Sequence, residues 1–474
     1  MLITIENFGA IKYFQFDTEK DLYLIFGKNS VGKSYAISLV YLIIKKIKEV
    51  KLDSVVTALF LSKEFNSDID KLEKYVQENN IGEADVSNDF KKHLTFCLEH
   101  FLISEINKSI TNSFNGLFNL QNKFSNKKLK ITIDSSGIIP QVDLTISLGL
   151  KKDSNKNISF VIINYHFNSK VFLKKSTSQF NEKQIKYDYK KIILYLPDQE
   201  KSLFKSNYLA MVADSFYRFS DELQKINTVY YLPASRSGLY QGLNSFSQIL
   251  AELSKSSSST SKSIALPSLS EPVADYFLHL SNINNSNEEN DGFIAYANEI
   301  EKEILQGVVE FDDKNKKLFF TPNKTSLKLD LSATSSMVSE ISPIVSYIKY
   351  IFPAHRTSKK EQKPLVFIEE PEAHLHPETQ VKLMAVFARL VKDNKIKLVM
   401  TSHSNYIFNK ASNLVIDNKI DKEKFDAILF ESTPEGSIAR NLDTDEYGIE
   451  DDNFIDTAES IYEEKLEFIN KLNG

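Results

Sequence analysis

Gly27-Lys28-Asn29-Ser30-Val31-Gly32-Lys33-Ser34 is the stretch that decides the fold of this chain. It fits the pattern G-x-x-x-x-G-K-[ST] at every fixed position, and it follows the apolar run 22–26. Apolar residues recur at helical spacing after it, over 36–44, so the order is strand, loop, helix. In that order the backbone N–H groups of the loop converge on a phosphate at the positive end of the helix. The stretch therefore predicts a phosphate loop rather than a Gly-Lys surface turn.

Each part of this loop has a predicted task in binding a nucleotide. Residues 27–32 would surround the phosphates with their backbone N–H groups. The ammonium of Lys33 would reach the β- and γ-phosphates, and the hydroxyl of Ser34 would hold Mg²⁺. The sequence thus predicts a nucleotide and Mg²⁺ as ligands of one loop.

Composition and charge describe an ordinary globular protein. The chain has 474 residues, 42% of them hydrophobic, which is ample for a sizeable core in roughly two or three domains. Its net charge of −5 excludes a global basic field for nucleic acid, and its single cysteine, Cys97, excludes a disulfide framework. Residues 1–20 lack the pattern of a secretory signal, and the longest apolar run, 36–44, is too short to span a bilayer. We therefore expect a soluble, cytoplasmic protein without a membrane partner.

The pattern along the chain predicts an α/β fold interrupted by an insertion. Residues 1–50 read as an antiparallel pair of strands followed by the strand, loop and helix unit. Residues 51–225 are first helical and polar and then β-rich, which indicates an inserted α+β lobe. Residues 226–474 return to buried strands that alternate with helices and end in an acidic tail. We therefore predict that 1–50 and 226–474 together form one nucleotide-binding head.

A second buried strand, 365–369, ends in two adjacent carboxylates, Glu369 and Glu370. Placed beside the phosphate loop by a parallel sheet, Glu369 would hold Mg²⁺ through a water molecule. Glu370, one step further out, would orient the attacking water and accept its proton. Two acids followed by Pro371 could also form a plain turn, but the phosphate loop in the same chain favours the catalytic interpretation.

A third buried strand, 396–400, ends in Thr401-Ser402-His403. One helix, predicted at about 377–392, separates it from the acidic pair, as in a strand–helix–strand unit. We predict that His403 contacts the γ-phosphate, because an imidazole donates and accepts hydrogen bonds near neutral pH. A lone histidine after a strand is more often structural, and it is this spacing that favours the functional role.

One segment has a strong local charge. Residues 151–191 contain ten lysines and three acids, a net charge of +7, and aromatic residues, including Phe160, Tyr165, Phe167 and Phe172, lie among them. This combination permits a surface that follows a nucleic-acid backbone. The favoured alternative is an edge of the inserted sheet that lysines protect from pairing.

Arg236 also has two interpretations. It follows the strand 229–232 in a turn of small residues. There it could meet a bound phosphate or a facing subunit, or it could close the turn at the surface.

Taken together, these motifs resemble those of the ABC-class ATPases of the RecF/SMC/Rad50 branch. More narrowly, the chain is similar to the stand-alone bacterial AAA ATPases related to the OLD (overcoming lysogenisation defect) nucleases and to the Septu and retron-associated defence ATPases. The resemblance rests on Ile5-Glu6-Asn7-Phe8, residues 27–34, Tyr231-Leu232-Pro233-Ala234-Ser235-Arg236, Glu369-Glu370-Pro371-Glu372-Ala373-His374-Leu375-His376-Pro377 and Thr401-Ser402-His403. It covers both ends of the chain and hardly any of the 50–225 insertion. It implies a phosphate-loop fold with an ABC-type head, in which an antiparallel β lobe lies beside a parallel-sheet core.

The resemblance also implies a site shared between two copies of the chain. In that family two heads stack head to tail, and each ATP, with Mg²⁺, lies between the phosphate loop of one head and a signature helix of the other. The matching segment here is 335–340, in which Ser336 would face the partner's γ-phosphate at the start of a helix predicted over 341–350. This segment lacks the usual glycine, and Glu369 stands where most phosphate-loop proteins have Asp.

The function implied by the resemblance is that of an ATP-binding and ATP-hydrolysing protein. It would form nucleotide-gated dimers or larger homo-oligomers and control a separately encoded effector, a nuclease used in anti-phage defence. The competing class is a RecF- or SMC-like ATPase that binds DNA directly, in repair or as a clamp. An energy subunit of a membrane transporter is disfavoured by the missing glycine. Residues 443–464, with ten acids and no base, suggest a docking surface for a basic partner.

Overall fold

The computed structural model describes most of the chain. The described residues are 1–78, 83–114, 116–135, 144–152, 158–176, 185–188, 190–197, 204–221, 223–242, 269–283, 292–314, 316–354, 362–450, 462–466 and 468–469. Residues 451–461 of the predicted acidic tail, and Lys156 and Lys183 of the predicted basic segment, lie outside the described residues.

The secondary structure begins with the predicted strands, loop and helix. The strands are β1 Leu2–Phe8, β2 Ile11–Asp17, β3 Leu22–Gly27, β4 Glu83–Asp85, β5 Lys130–Asp134, β6 Leu144–Lys152, β7 Ile158–Phe167, β8 Lys170–Ser176, β9 Ile185–Asp188, β10 Lys191–Pro197, β11 Ile226–Leu232, β12 Gly307–Asp312, β13 Lys317–Pro322, β14 Leu329–Asp330, β15 Lys363–Glu369, β16 Lys397–Thr401, β17 Phe425–Thr433, β18 Gly436–Leu442, β19 Thr444–Asp445 and β20 Gly448–Ile449. The helices are α1 Lys33–Glu49, α2 Leu52–Leu61, α3 Lys63–Glu78, α4 Ser87–Cys97, α5 Ser104–Ser113, α6 Phe204–Asp221, α7 Glu271–Ser281, α8 Ile294–Ile300, α9 Ser336–Ser346, α10 Phe352–Ala354, α11 Pro377–Lys392 and α12 Asn405–Ile416. Residues 236–242 are helical as well.

The main sheet joins a parallel half to an antiparallel half. Within the described part of the chain it has eleven strands, in the order β11-β15-β16-β3-β17-β18-β2-β1-β5-β6-β7. The five strands from β11 to β17 are parallel, and each pair from β2 to β7 is antiparallel. The predicted α/β class, a parallel core beside an antiparallel β lobe, is confirmed.

Strand β3 shows why the parallel half reads as continuous apolar runs. Tyr23 and Ile25 belong to the core that contains α1, whereas Leu22, Leu24 and Phe26 belong to the core that contains α11 and α12. All five side chains are buried. A strand with helices on both faces has no solvent-facing positions, so its sequence cannot alternate. Each of these side chains stabilises the fold by roughly 1.5–3 kcal/mol through its burial.

The register of the parallel strands places the predicted site at one edge of the sheet. Glu369, at the end of β15, is paired with Thr401 at the end of β16, and Thr401 is paired with Ile25 in β3. The phosphate loop starts two residues after Ile25. Parallel strands present their carboxyl ends at the same edge, which is where α/β folds bind ligands.

The main sheet crosses the predicted boundary of the inserted lobe. Strands β5, β6 and β7 extend it beyond β1, whereas β4, β8, β10 and β9 form a sheet of their own. The sheet continues from the predicted head into the predicted lobe because β1 pairs with β2 on one side and with β5 on the other. The division at residues 50 and 225 stays a prediction. Within the described residues, no helix has the length and the hydropathy that a bilayer span requires.

Candidate nucleotide-binding and hydrolysis site

The phosphate loop connects the carboxyl end of β3 to the first turn of α1. Its backbone has positive φ angles at Gly27 (138°), Ser30 (64°) and Gly32 (97°). A Cβ atom at Gly27 would lie 2.7 Å from the carbonyl oxygen of Phe430, so this position requires glycine. Because α1 begins at Lys33, the N–H groups of its first turn lie next to the loop, which is the arrangement of an anion site.

The ammonium of Lys33 lies inside the loop. Its Nζ donates to the carbonyl oxygens of Gly27 (2.8 Å) and Lys28 (2.9 Å), and the residue is 6% exposed. Burial lowers the pKa of Lys33 to about 8, although three nearby glutamates act in the opposite direction. A cation that has lost most of its water in this way is stabilised by a bound polyphosphate.

The hydroxyl of Ser34 contacts the first acid of the predicted pair. Ser34 Oγ donates to Oε2 of Glu369 over 2.5 Å, and Oε1 of Glu369 accepts from the hydroxyl of Tyr231 over the same distance. The Tyr231 hydroxyl also lies 2.8 Å from Oγ of Ser38, one turn further along α1. Burial raises the pKa of Glu369, and the hydrogen bonds from Ser34 and Tyr231 oppose this. Hydroxyl and carboxylate oxygens are ligands that Mg²⁺ prefers, so Ser34 and Glu369 fit this ion.

Glu370 and His403 face each other at the rim of the site. Oε1 of Glu370 lies 3.4 Å from Nε2 of His403, and the side chains are 39% and 29% exposed. The hydrogen bond with His403 is the main influence that lowers the pKa of Glu370. Glu370 has a φ of 41°, which is uncommon for a residue with a side chain, and its N–H donates to the carbonyl oxygen of Thr401 (3.1 Å). A partly exposed carboxylate with a low pKa is ionised at neutral pH and can accept a proton from water.

Glu372 holds the segment that carries His403, a role that the sequence motifs did not indicate. Its Oε1 accepts from the backbone N–H of His403 (2.7 Å) and from the hydroxyl of Ser402 (2.8 Å). Burial raises the pKa of Glu372. The one signal in the sequence was its position two residues after Glu370, just beyond the end of β15.

Arg236 is completely buried, so neither a phosphate or subunit contact nor a surface turn describes it. Its side chain is 0% exposed and pairs with Glu340 over 3.3 Å. It also donates to the carbonyl oxygens of Glu369 (2.6 Å) and Glu370 (3.1 Å). The physical reason is the parallel pairing of β11 with β15, in which Leu232 is level with Ile368, so the turn after β11 passes beside the acid pair.

Helix α9 begins at Ser336, five residues before the predicted start at 341. Ser335 is its N-cap, and Oγ of Ser335 accepts from the N–H of Val338 over 3.5 Å. Because a serine N-cap starts a helix directly after it, Ser336 belongs to the first turn of α9 and does not precede the helix. Ser336 is exposed, whereas Glu340, one turn later, is buried. The exposed hydroxyl of Ser336 therefore lies at the N terminus of α9, which is the positive end of the helix dipole.

The basic segment 151–191 is less basic in space than in sequence. Lys174 and Lys191 pair with Glu83, and Lys186 pairs with Asp188. Strand pairing places four lysines and three acids on one face of the second sheet, namely Lys170, Lys174, Lys186, Lys191, Glu83, Asp85 and Asp188. The charge count of the segment could not show this, because two of the acids come from β4.

These groups together have the chemistry that cleavage of a phosphoanhydride needs. The structure brings the loop, Lys33, Ser34 and Glu369 into contact and places Glu370 and His403 beside them. A loop suited to phosphate, an oxygen pair suited to a divalent cation and a carboxylate able to accept a proton from water lie side by side. No group of three or more His, Cys, Asp or Glu side chains among the described residues is arranged as a metal cluster.

Comparisons with known proteins give one family and a group of solved structures. The model of the family described as AAA ATPase domain matches residues 1–408. The SMC head domain from Thermotoga maritima is 9% identical in sequence to this chain. The match covers 93% of this chain and 98% of that domain, with a TM-score of 0.34. The Smc head domain with an extended coiled coil, bound to the C-terminal domain of ScpA and derived from Pyrococcus furiosus, is 11% identical, covers 98% of both chains and has a TM-score of 0.36. No curated protein matches the chain.

Proposed function

The chain belongs to the AAA ATPase domain family and is an ATPase, and from this premise we propose that it hydrolyses ATP in an assembly of copies and thereby controls a separate effector protein. The predicted phosphate-loop fold with an ABC-type head is confirmed with it. The observation that carries the proposal is the meeting of residues 27–34, Glu369 and Glu370 at the carboxyl edge of one parallel sheet.

Within one copy, the side chains of this site divide the work of hydrolysis. The loop N–H groups and Lys33 bind the β- and γ-phosphates. Ser34 and Glu369 would hold Mg²⁺, which, when bound, neutralises charge on the phosphate oxygens. Glu370 accepts a proton from the attacking water, because its carboxylate is ionised and reaches the rim of the site. His403 stabilises that carboxylate and contacts the γ-phosphate.

A second copy of the chain supplies the contact that one copy lacks. Ser336 is exposed at the N terminus of α9, where a hydroxyl and the helix dipole favour an anion. In a head-to-tail dimer or larger homo-oligomer it would meet the γ-phosphate held by the other copy. ATP binding would then close the assembly and hydrolysis would release it. The motif resemblance supports this arrangement, with Ser336 in the place of the signature segment.

A pair of variants tests hydrolysis and assembly together. Glu370→Gln keeps the shape of the side chain but removes the proton acceptor, so we expect ATP turnover to fall by about 100-fold or more while ATP stays bound. Lys33→Ala removes the phosphate ligand, so we expect no ATP binding. Turnover, binding of a fluorescent ATP analogue and mass by light scattering are measured for both, and only Glu370→Gln should accumulate as an ATP-bound dimer or larger assembly.

The matched control is Glu423→Gln, the same substitution at an exposed residue just before the amino end of β17, at the opposite edge of the sheet. It should leave turnover unchanged within about twofold, as expected of surface substitutions. A Glu370→Gln protein that hydrolyses ATP at the parental rate would refute the assigned base. A protein that stays a monomer with bound ATP would refute the assembly but not the assignment of Glu370.

The output of the cycle goes to a separately encoded effector, a nuclease of anti-phage defence. This step rests on the motif resemblance to stand-alone defence ATPases. Mass spectrometry of what co-purifies with Glu370→Gln in the presence of ATP, compared with the products of adjacent open reading frames, tests it. Recovery of the same product with Lys33→Ala would contradict control by the nucleotide.

Direct DNA binding is the second candidate function. It is favoured by the lysines of the second sheet and by Phe172, whose ring lies 4.2 Å from Nζ of Lys191. The acids on the same face weaken it. If it holds, replacing Lys174, Lys175, Lys190 and Lys191 with glutamine should abolish a salt-sensitive affinity for duplex DNA. An intact protein without measurable DNA binding would rule it out.

A further inference from the structure

A fully buried ion pair connects the acid pair of the site to helix α9. Arg236 and Glu340 have side-chain exposures of 0% and 1%, and Nη2 of Arg236 lies 3.3 Å from Oε2 of Glu340. Their positions are 104 residues apart in the chain. Neither phosphate binding nor proton transfer, as proposed above, involves this pair. Arg236 contacts the acid pair of one copy, and Glu340 belongs to the helix proposed to meet the other copy.

The guanidinium of Arg236 uses all of its N–H groups. Nε donates to the carbonyl oxygen of Glu340 (3.1 Å), and Nη1 donates to those of Pro233 (3.0 Å) and Glu369 (2.6 Å). Nη2 donates to the carbonyl oxygen of Glu370 (3.1 Å) and faces the Glu340 carboxylate. Since the donors lie in one rigid plane, the side chain cannot turn without losing several hydrogen bonds at once.

Glu340 anchors the other end of this connection. Its Oε1 accepts from the N–H (3.2 Å) and the hydroxyl (2.8 Å) of Ser237, and its Oε2 accepts from the N–H of Arg236 (3.1 Å). Glu340 lies four residues after Ser336, which is about one helical turn. The first turn of α9 and the segment that begins at Arg236 are therefore held as one unit.

The backbone of Glu370 is held from two sides. Its carbonyl oxygen accepts from Arg236, and its N–H donates to the carbonyl oxygen of Thr401. With a φ of 41°, Glu370 keeps an unfavourable conformation that depends on these contacts. The direction in which its carboxylate points therefore depends on where the Arg236 guanidinium lies.

We infer that Arg236 and Glu340 are positioning residues that transmit the position of helix α9 to the carboxylate of Glu370. The inference rests on the proposed function, because a second copy would act on α9 through Ser336. Separating the two partners of a buried ion pair is strongly unfavourable. A shift of α9 therefore moves Arg236, and with it the backbone of Glu369 and Glu370. When Ser336 contacts the nucleotide bound to another copy, the carboxylate of Glu370 is thus placed for proton transfer. A head that has not assembled hydrolyses ATP slowly.

Glu340→Gln tests this, because it keeps the shape of the side chain but removes the charge opposite Arg236. Its matched control is Glu301→Gln, which removes the carboxylate from a second, partly buried pair, Lys349–Glu301 (3.0 Å). Lys349 lies in the helical continuation of α9, Tyr347–Ile351, nine residues after Glu340. Thermal melting of both variants measures the loss of stability, and turnover and light scattering are measured over a range of protein concentrations.

We expect Glu340→Gln to bind ATP and to assemble within about threefold of the parental protein, whereas its turnover at full assembly falls about 10- to 100-fold, the cost of a misplaced catalytic group. Glu301→Gln should keep its turnover within about twofold at a similar loss of stability. Equal turnover in both variants, or a Glu340→Gln defect confined to assembly, would overturn the inference.

A milder variant covers the case in which Glu340→Gln does not fold. Ser237→Ala removes one of the hydrogen bonds to Oε1 of Glu340. It should lower turnover as Glu340→Gln does, but by less, and unchanged turnover would overturn the inference.

Failure of the proposed function gives a different result. If the parental protein hydrolyses ATP without assembling, transmission from a second copy is excluded, whereas lower turnover in Glu340→Gln than in Glu301→Gln would still assign the pair to positioning Glu370.

Discussion

Replacing Tyr231 with phenylalanine tests how the site holds the acid proposed to bind Mg²⁺. The tyrosine hydroxyl donates to Oε1 of Glu369 over 2.5 Å, while Ser34 donates to Oε2 of the same carboxylate. Tyr231 is 1% exposed, and its ring packs against that of Phe367. Tyr231→Phe therefore removes one oxygen from the interior and leaves the packing of the ring in place.

The size of the effect follows from the hydrogen bond that is lost. A hydrogen bond to a charged group contributes about 1.5–3 kcal/mol, and leaving its partner buried and unpaired costs a similar amount. Since 1.4 kcal/mol corresponds to about tenfold in an equilibrium constant, the affinity for ATP with Mg²⁺ should fall about 10- to 100-fold. Loss of a residue that orients a metal ligand has effects of this size.

The assay is a titration with a fluorescent ATP analogue at several Mg²⁺ concentrations. We expect Tyr231→Phe to weaken binding with Mg²⁺ and to change metal-free binding by less than about twofold, because the loop and Lys33 are untouched. Tyr230→Phe is the matched control, since Tyr230 is also buried but belongs to the core on the other face of the sheet. If the two variants bind ATP with Mg²⁺ equally well, the role given to the Tyr231 hydroxyl is wrong.

Three further predictions concern the loop and the stability of the head. Gly27→Ala forces a Cβ to within 2.7 Å of the Phe430 carbonyl oxygen, so ATP affinity should fall with a strain of about 1–3 kcal/mol, and parental binding would contradict the steric argument. Ser34→Ala should keep metal-free ATP binding but lose most of the gain that Mg²⁺ provides, and an undiminished gain would exclude Ser34 as a ligand. Burial raises the pKa of Glu271, but hydrogen bonds, the largest of them from Lys45, lower it to about 2. The ionised carboxylate therefore stabilises the fold fully above pH 4.5, and this stabilisation is lost as the pH falls towards 2. Glu271→Gln should lower the free energy of unfolding by roughly 3 kcal/mol at pH 7, and by less at pH 4 in urea titrations; an equal loss at both values would contradict the assignment.

The sequence by itself determined the fold class and the positions of the groups proposed to act in hydrolysis. The phosphate loop is contiguous, and its glycines, lysine and serine act through backbone geometry that a short segment specifies. Glu369, Glu370 and His403 could be placed because each follows a buried apolar strand, and parallel strands end at the same edge of a sheet. Local pattern and one topological rule were sufficient for these predictions.

Only the tertiary structure decided which side chains hold those groups in place. The hydroxyl of Tyr231 reaches Glu369 across 138 positions of the chain, and the Arg236 guanidinium reaches Glu340 across 104. No local pattern distinguishes a buried arginine from a surface one, because its burial is set by the register of β11 on β15. The same holds for charge, since the acids opposite the lysines of 170–191 come partly from β4. Strand pairing between distant segments decides these contacts, and a sequence motif contains no information about that pairing.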